Sequence, residues 1–439
     1  MLKSLDLLTA NDKQGAYPPS YYAATANRSN DYPRLESNFT CDVCVIGGGY
    51  TGLSSALHLA QRGYKVALLE AHKVGWGASG RNGGQIGPGQ RVEQTALEQQ
   101  YGMAHAKALW DLSLQSMSLL LQLVRDHEIA CDLKPGVLHA EHRQDRVGES
   151  RDYVEHLARV YNYDNAEFVD RDKIQHMVGS PSYFGGMVDW GAGHLHPLNY
   201  ALGLATAAEA AGVRIFENSK VVGYEAGDTV TVATETGSVQ AGFLVFGCNG
   251  YLGRLDGTTA AHVMPINNFI VATEPFSEED ARSLIRDRVA VADSKFVINY
   301  FRLSADNRLL FGGGETYGYR FPSDIREFVR KPMTEIYPQL KDIRIDYGWG
   351  GTLAITAKRM PYFARIAPNV LTACGYSGHG VAMATLAGQI CAEAVDGISG
   401  RFDIFERLNV PAFPGGTALR HPLLVLAMTW YSMRDRLGI

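Results

Sequence analysis

The chain has 439 residues, of which 46% are apolar and 20% charged, a composition typical of a globular protein with two or three domains. Its 41 basic and 46 acidic side chains give a net charge of -5, and it contains no basic run, which argues against a nucleic-acid partner. No segment reaches the ~18–20 apolar residues of a membrane span, and the N-terminus lacks the apolar core of a signal peptide. We therefore expect no membrane insertion. Because the six cysteines are scattered, we also expect reduced thiols in a cytoplasmic protein.

Residues 1–40 are polar and rich in tyrosine, and we expect them to form an N-terminal arm on the body of the protein. The segment "CDVCVIGGGY" predicts a buried strand that enters a turn, followed by a helix that ends at Gly63 and by the strand "KVALLE". Helical periodicity covers about 92–128 and 144–161, and Pro197 is placed in the first turn of another helix. Short strands follow over about 214–253 and 262–315, with a hairpin turn at Asp306-Asn307.

Glycine-rich segments occur near both ends of the chain. One is a loop at 75–89, in which seven of fifteen residues are glycine, and the other is a turn at 375–380 that opens a helix of small residues. The N-terminal and C-terminal parts therefore look alike and enclose a β-rich middle. We predict an α/β protein with a discontinuous Rossmann-like domain and a second, α+β domain. The predicted boundaries are an arm at 1–40, a nucleotide-binding domain at 41–90, 190–260 and 350–439, and a second domain mainly at 91–189 and 261–349.

The first glycine turn matches the dinucleotide-binding fingerprint. Gly47, Gly49 and Gly52 follow an apolar strand and open a helix, whose start offers free N–H groups to a pyrophosphate. The next strand ends in Glu70, an acid placed to bind ribose hydroxyls. The motif alone does not separate FAD from NAD. Its position near the N-terminus, with the glycine-rich loop directly after Glu70, favours FAD.

Two further groups have the composition of metal sites, and we interpret neither as one. Cys41 and Cys44 form a C-x-x-C within the first strand, where residues three apart point to opposite faces. His194 and His196 precede the proline-started helix, and the sequence offers no evident third ligand. We therefore predict no metal.

The segments "GGGYTGLSSALHLA", "GWGASGRNGGQ" and "GYSGHGV" together resemble the superfamily of FAD-dependent amine and D-amino-acid oxidases, which includes glycine and sarcosine oxidases. The resemblance covers nearly the whole chain. It implies an FAD-binding domain and a substrate domain on a mixed, mainly antiparallel sheet. The residues that match the family's FAD site are Gly47, Gly49, Tyr50, Thr51, Gly52, Glu70, Ala71, Ala78, Ser79, Arg81, Asn82, Gly83, Gly84, Val221, Val222, Asn249, Gly250, Gly375, Ser377, Gly378, His379, Gly380 and Val381.

Within this superfamily the chain most resembles the branch that oxidises gamma-glutamylputrescine, in "SYYAATAN", "GAGHLHPLNYA" and "FRLSADNRLLFGGG". The resemblance implies hydride transfer from a CH–NH2 carbon to FAD, then hydrolysis to aldehyde and ammonia, with oxygen reduced to hydrogen peroxide. Residues 349–363 lack the cysteine that binds flavin covalently in some sarcosine oxidases, so we expect non-covalent FAD. Ala382 stands where those enzymes have a carboxylate-binding lysine, which favours an amine whose carboxylate is remote.

Candidate catalytic residues are the polar and aromatic side chains of the last glycine turn and of the predicted substrate-domain strands: His379, Tyr376, Tyr300, Arg302 and Trp349. Two alternatives stay open. One is an amino-acid or N-methyl-amino-acid oxidase, in which Arg302 would bind the substrate carboxylate. The other is an FAD amine dehydrogenase with a non-oxygen acceptor, because Leu310 stands where sarcosine oxidases have a lysine linked to oxygen activation. In that case the apolar segment 422–431 would contact a membrane or a partner. The oligomeric state is left open.

Overall fold

The computed structural model describes residues 6–27, 30–316 and 318–417. The predicted apolar contact segment at 422–431 lies outside this range. The α-helices of the described part are α1 (Tyr21–Ala24), α2 (Tyr50–Gln61), α3 (Gln94–Tyr101), α4 (Met103–Asp126), α5 (Val147–Tyr161), α6 (Arg171–Met177), α7 (Pro197–Ala210), α8 (Gly257–His262), α9 (Glu278–Leu284), α10 (Ile325–Ile336), α11 (Val381–Val395) and α12 (Gly400–Glu406).

The strands form two sheets. In chain order they are β1 (Asn38–Ile46), β2 (Val66–Leu69), β3 (Gln85–Ile86), β4 (Lys134–Glu141), β5 (Ala166–Val169), β6 (Gly185–His194), β7 (Arg214–Phe216), β8 (Val221–Glu225), β9 (Val230–Thr234), β10 (Ser238–Phe246), β11 (Met264–Thr273), β12 (Ala290–Asp293), β13 (Tyr300–Leu303), β14 (Leu309–Thr316), β15 (Ile345–Ile355), β16 (Tyr362–Ala367) and β17 (Val370–Cys374).

The first sheet has a parallel core in the order β17-β10-β1-β2-β7, with β16 antiparallel at one edge and the β8–β9 hairpin attached to β10. The residues of β2 are buried throughout, as expected for a strand covered on both faces. Strands from the beginning, middle and end of the chain share this sheet, as predicted. The first strand begins at Asn38 rather than at residue 41, because Asn38–Thr40 pair with Ser238–Gln240 of β10.

The second sheet runs β15-β11-β14-β13-β12-β4-β6-β3, with β5 added to β6. All its strand pairs are antiparallel except β4 with β12. The predicted mixed, mainly antiparallel sheet is therefore confirmed. The predicted hairpin is also present between β13 and β14, where Asn307 adopts a φ of 61° in the turn. The predicted domain boundaries stay a proposal. The sheet to which each strand belongs supports most of them. The exceptions are β3 and the last parts of β6 and β15, which fall in the predicted nucleotide-binding segments but belong to the second sheet.

The two helices that follow glycine-rich turns pack directly against each other. A Cβ atom on Gly388 of α11 would lie 2.6 Å from the Thr51 carbonyl oxygen of α2, so glycine permits this close crossing. The Ser54 hydroxyl donates to the Thr385 carbonyl at 2.6 Å across the same contact. In the described part of the chain no single helix is long and apolar enough to cross a membrane. The bent pair α11–α12 meets that test only jointly, and α11 is mostly buried in the core.

Candidate active site

The turn between β1 and α2 forms a cradle without side chains. Gly47 has a φ of 107°, and a Cβ there would lie 2.8 Å from the Gly247 carbonyl oxygen. A Cβ on Gly52 would lie 1.9 Å from the Gly47 carbonyl oxygen, so the third glycine is required for helix and strand to pack. The helix begins at Tyr50 with Gly49 as its N-cap. Backbone N–H groups and the positive end of the helix dipole are therefore presented to a ligand at this turn.

Glu70 lies at the end of β2, beside this cradle. Its carboxylate accepts hydrogen bonds from the Gly48 N–H at 2.7 Å and from the His72 N–H at 2.9 Å. Burial nevertheless raises the pKa of Glu70 to about 7, with a further contribution from the negative charge of Glu217. A carboxyl group held this way would be stabilised in its ionised form by additional hydroxyl donors such as those of a ribose.

The predicted flavin-covering loop, residues 78–84, is stabilised by hydrogen bonds between one of its side chains and its own backbone. The Asn82 amide donates to the carbonyls of Ala78 and Ser79, and its oxygen accepts the Gly84 N–H at 2.7 Å. The Ser79 hydroxyl accepts the Tyr50 N–H at 3.0 Å, so the loop contacts the start of α2. The loop and the dinucleotide cradle therefore form one continuous surface.

Two predicted catalytic residues instead support this loop from behind. Arg302 donates from Nε to the Gly83 carbonyl and from Nη2 to the Leu195 carbonyl, each at 2.9 Å. The Trp349 indole donates to the Arg81 carbonyl at 3.1 Å. Both side chains are buried. The structure thus places the polar groups of Arg302 and Trp349 on backbone carbonyls, and a catalytic role for either residue stays a prediction.

The C-terminal glycine turn lies against the same region. The Gly375 N–H donates to the Asn249 side chain at 2.9 Å, and the Tyr376 hydroxyl hydrogen-bonds the Thr51 hydroxyl at 2.6 Å. The Tyr376 hydroxyl also donates to the Ala373 carbonyl. Tyr376 therefore links α2 to the turn before α11, and its predicted catalytic role stays a prediction.

A cavity of about 1290 Å³ connects these segments and reaches the second sheet. It exceeds the usual range of single-ligand pockets, about 300–1,000 Å³, and has room for a dinucleotide together with a substrate. Gly52, Gly84, Gly375, Arg302 and Trp349 are absent from its described wall. The predicted site residues that line it are Gly47, Gly49, Tyr50, Thr51, Glu70, Ala71, Ala78, Ser79, Arg81, Asn82, Gly83, Val221, Val222, Asn249, Gly250, Tyr300, Tyr376, Ser377, Gly378, His379, Gly380 and Val381.

One row of residues across the second sheet forms part of the cavity wall. His139 of β4 is aligned with Ala292 of β12, Ala292 with Tyr300 of β13, and Tyr300 with Gly312 of β14. Aligned residues on adjacent strands project from the same face, and His139, Ala292 and Tyr300 all line the cavity. The Tyr300 ring needs the glycines beside it, because a Cβ on Gly312 would lie 2.1 Å from the ring. The Tyr300 hydroxyl donates to Asn268, another residue of the wall.

His379, His139 and Arg91 line this part of the cavity. His379 hydrogen-bonds the Gly87 carbonyl through Nε2 at 3.1 Å. Burial, reinforced by the positive charge of Arg91, lowers the pKa of His379 and of His139 to about 4. Both imidazoles are therefore neutral near pH 7, and Arg91, which also lines the cavity, carries the positive charge beside them.

Among the polar residues of the cavity wall that sequence reasoning missed are Arg91, His139, Asn268 and Asp293. Arg91 follows the glycine-rich loop by two residues, which was a usable signal. His139 interrupts the apolar strand "VLHA", and its position on a strand was also visible. Nothing in the local sequence shows that β4 and β12 bring His139 and Asp293 to the same cavity, because that depends on sheet order.

The two histidines before α7 are held by hydrogen bonds to the backbone. His194 bonds the Arg288 carbonyl through Nε2 at 2.9 Å, and His196 caps α7 by accepting the Asn199 N–H. Throughout 6–27, 30–316 and 318–417, no three His, Cys, Asp or Glu side chains come together as metal ligands. Cys248 lines the cavity, and burial raises its thiol pKa. A protonated thiol is a poor nucleophile, which supports the expectation of non-covalent FAD.

The residues present fit FAD. The cradle at Gly47 and Gly52 excludes side chains, the start of α2 presents free N–H groups, and Glu70 lies at the end of the next strand, as required for a dinucleotide. Val221 and Val222 of β8 line the far part of the cavity, and Val222 is 56% exposed, so an apolar surface is available to an adenine ring.

Residues 42–394 match the family model described as FAD dependent oxidoreductase. The chain belongs to this family. The resemblance found in the sequence motifs is confirmed, and the protein is an FAD-dependent oxidoreductase. The chain is 40% identical over 421 residues to the gamma-glutamylputrescine oxidoreductase of Escherichia coli, covering 96% of this chain and 99% of that protein. It is also 40% identical to a probable oxidoreductase of Rhizobium meliloti, over 95% and 97% of the two chains.

Solved structures show the same fold at low sequence identity. Glycine oxidase from Geobacillus kaustophilus superposes with a TM-score of 0.67 at 21% identity, covering 82% of this chain and 95% of that one. L-proline dehydrogenase from P. horikoshii gives the same TM-score at 22% identity, over 86% and 100% of the two chains. The predicted fold class is therefore confirmed.

Proposed function

We propose that the protein oxidises the primary amine of gamma-glutamylputrescine, or of a related glutamylated polyamine, to the aldehyde. The observation that carries the proposal is 40% identity to an oxidoreductase of that name over nearly the full length of both chains. The reaction removes two electrons and two protons, as a hydride and a proton, from the neutral CH–NH2 group to give an imine. Water then adds to the imine and releases ammonia, and oxygen takes up the two electrons with two protons to give hydrogen peroxide.

Bound FAD supplies the acceptor for the hydride. The chain's own contribution begins with α11, whose N-terminus follows the turn at 375–380 and favours negative charge there by about 0.3–1 kcal/mol. Such an arrangement stabilises charge that develops as the hydride leaves the substrate. The amine must be neutral to react, and the positive charge of Arg91 in the cavity wall disfavours the ammonium form.

His379, Tyr300 and Asn268 are proposed to position the amine. His379 is neutral near pH 7, and its bond to Gly87 through Nε2 makes Nδ1 the acceptor nitrogen. The Tyr300 ring is fixed between Gly83 and Gly312, which gives it one orientation against the cavity. The cofactor roles assigned to the lining residues of the cradle and both loops are part of the same proposal.

Arg91 is the proposed partner of the substrate carboxylate. It lines the same cavity as His379 and His139, and its charge acts on both imidazoles. The same observation favours a second candidate function, an amino-acid or N-methyl-amino-acid oxidase, with Arg91 in the role that the sequence had suggested for Arg302. The amine dehydrogenase also stays open, since Leu310 is buried in the apolar core and offers no charge for oxygen activation.

The test is anaerobic mixing of the purified holoenzyme with gamma-glutamylputrescine, putrescine, sarcosine and proline, followed by admission of air. Flavin bleaching with the glutamylated amine at least ten times faster than with the others, and peroxide formation in air, is the expected result. Faster bleaching with sarcosine or proline would assign the amino-acid oxidase instead. Bleaching without peroxide would assign the dehydrogenase. The variant Arg91→Gln should slow the glutamylated substrate and leave the slow reaction of putrescine, which has no carboxylate, unchanged.

A cytoplasmic location is also part of the proposal. All six cysteines are free thiols in the structure, which is compatible with a reducing compartment. Fractionation of cells that express the tagged full-length chain tests it directly.

A further inference from the structure

The described start of the chain, residues 6–17, runs along the cofactor cavity without helix or strand, and we call it the N-terminal strap. Its first three residues, Asp6, Leu7 and Leu8, belong to the cavity wall. Asp6 forms an ion pair with Lys220, which precedes the strand predicted to contact adenine. The strap therefore forms part of the boundary of the site to which sequence reasoning assigned only residues beyond 40.

His72 and Trp76 attach the strap to the nucleotide-binding side. His72 accepts the Gly15 N–H at Nδ1 and donates from Nε2 to the Leu8 carbonyl, each at 2.9 Å. The Trp76 ring stacks on His72 with ring centroids 3.9 Å apart, and its indole N–H donates to the Ala16 carbonyl. These contacts hold the strap against His72 and Trp76, which precede the flavin-covering loop in the chain.

Asp12 makes the most buried contact of the strap. Its carboxylate lies 2.7 Å from Nη1 of Arg81, with the two side chains 11% and 1% exposed. Arg81 also donates from Nε to the Trp76 carbonyl and from Nη1 to the Gly350 carbonyl. Its guanidinium is 4.2 Å from the centre of the Trp76 ring. Within the described chain, Asp12 is the carboxylate that pairs with this buried cation. The strap therefore supplies the negative charge that compensates the guanidinium of Arg81.

Asn11, the neighbouring residue, attaches the strap to the substrate side. Its amide donates to the Tyr319 carbonyl at 2.8 Å, and its oxygen accepts the Phe321 N–H at 2.9 Å. Tyr319 lines the cavity. Two consecutive strap residues therefore connect the flavin-covering loop to a segment after β14 that also contributes to the cavity wall.

We propose that the strap retains FAD, with Asp12 as the positioning residue that holds Arg81 and the flavin-covering loop closed over the cofactor. The strap must open for FAD to leave, and opening separates Asp12 from a buried guanidinium. Breaking a buried pair by removing one partner is strongly unfavourable, because the remaining charge stays uncompensated. The proposal depends on the cofactor and not on the identity of the amine.

The first test compares Asp12→Asn, which removes the charge, with Asp12→Glu, which keeps it. Asp31→Asn is the matched control, because Asp31 belongs to the same arm and pairs with Lys73 but is 98% exposed. We measure the FAD dissociation constant of each apoprotein by flavin fluorescence, the rate of FAD release, and the visible circular dichroism of bound flavin. Asp12→Asn should release FAD at least about 10-fold faster, with an altered flavin spectrum. Asp12→Glu and Asp31→Asn should behave like the unaltered protein.

Equal FAD release from Asp12→Asn and Asp31→Asn would overturn the proposal, even if Asp12→Asn melts at a lower temperature. A second test needs no variant. Because coupling is reciprocal, FAD should slow tryptic cleavage after Lys13, an exposed residue of the strap, in the unaltered protein. Cleavage after Lys341, whose side chain is 76% exposed, serves as the reference. An FAD-independent rate at Lys13 would overturn the proposal, whatever the folding of the variants.

Discussion

Glu70 should link FAD binding to pH. In the protein without cofactor, burial raises the pKa of this carboxyl group to about 7 from an ordinary value of 4.5. A carboxylate that accepts ribose hydroxyls must be ionised, so binding displaces its proton and is favoured as the pH rises. If the hydroxyl donors restore the ordinary pKa, FAD binds roughly 30-fold more tightly at pH 8 than at pH 5.5.

The stability of the apoprotein should change in the opposite direction. A carboxyl group with a raised pKa in the folded state contributes stability that is present below about pH 4.5 and is lost as the pH rises through 7. The loss is about 3 kcal/mol between these limits. The same residue thus makes the empty protein less stable and the FAD complex tighter over one pH range, a combination that a general pH effect would not produce.

Fluorescence titration of apoprotein with FAD from pH 5.5 to 8 measures the first effect, and urea unfolding of apoprotein measures the second. Glu70→Gln should flatten both profiles, because the amide does not titrate. The matched control is Glu225→Gln on the exposed part of β8, which should retain both slopes. If Glu70→Gln kept the pH dependence of the unaltered protein, Glu70 would not be the linked group, and its raised pKa would have no part in cofactor binding.

Three further substitutions test the site. Gly388→Ala places a Cβ 2.6 Å from backbone atoms of α2 and should lower the free energy of unfolding by about 1–3 kcal/mol in urea titrations, whereas Gly148→Ala, with open space around it, should not. Arg302→Met should weaken FAD binding in fluorescence titrations and leave the KM for amine nearly unchanged; a raised KM alone would restore Arg302 as a substrate ligand. Gly312→Ala should displace the Tyr300 ring and lower kcat/KM in peroxide assays by a larger factor than it weakens FAD binding. Loss of FAD at unchanged kcat/KM of the remaining holoenzyme would contradict the assignment of this row to the substrate.

The cofactor half of the site could be predicted from the sequence because its determinants are local. A pyrophosphate turn needs glycines at fixed spacing and an acid after the next strand, and Gly47, Gly52 and Glu70 satisfy these requirements within about thirty residues. The C-terminal turn before α11 was predictable for the same reason. The sequence also indicated that both ends of the chain share one sheet, because each end shows the same strand–turn–helix pattern.

The substrate half could not be predicted in the same way, because it is assembled from strands distant in the chain. His139 and Tyr300 come from β4 and β13 and are separated in the sheet only by β12. Arg302 illustrates the converse case. An arginine on a substrate-domain strand is a residue type that commonly binds carboxylates. In the structure, however, its guanidinium donates to the carbonyls of Gly83 and Leu195. Residue type and strand position do not reveal which backbone groups approach a side chain.

The N-terminal strap, the flavin-covering loop and the second sheet form a connected set of supports around one cavity. Arg81 and Gly83 occupy the centre of this set, since Asp12 pairs with the Arg81 side chain while Trp349 and Arg302 bind the carbonyls of Arg81 and Gly83. The substrate sheet therefore holds the loop that covers the cofactor, and the Tyr300 ring packs against that loop at Gly83. Occupancy of the substrate cavity and closure over FAD are thus coupled through the same two loop residues. A substrate that fills the cavity against Tyr300 should slow FAD release, and Asp12→Asn should weaken that effect.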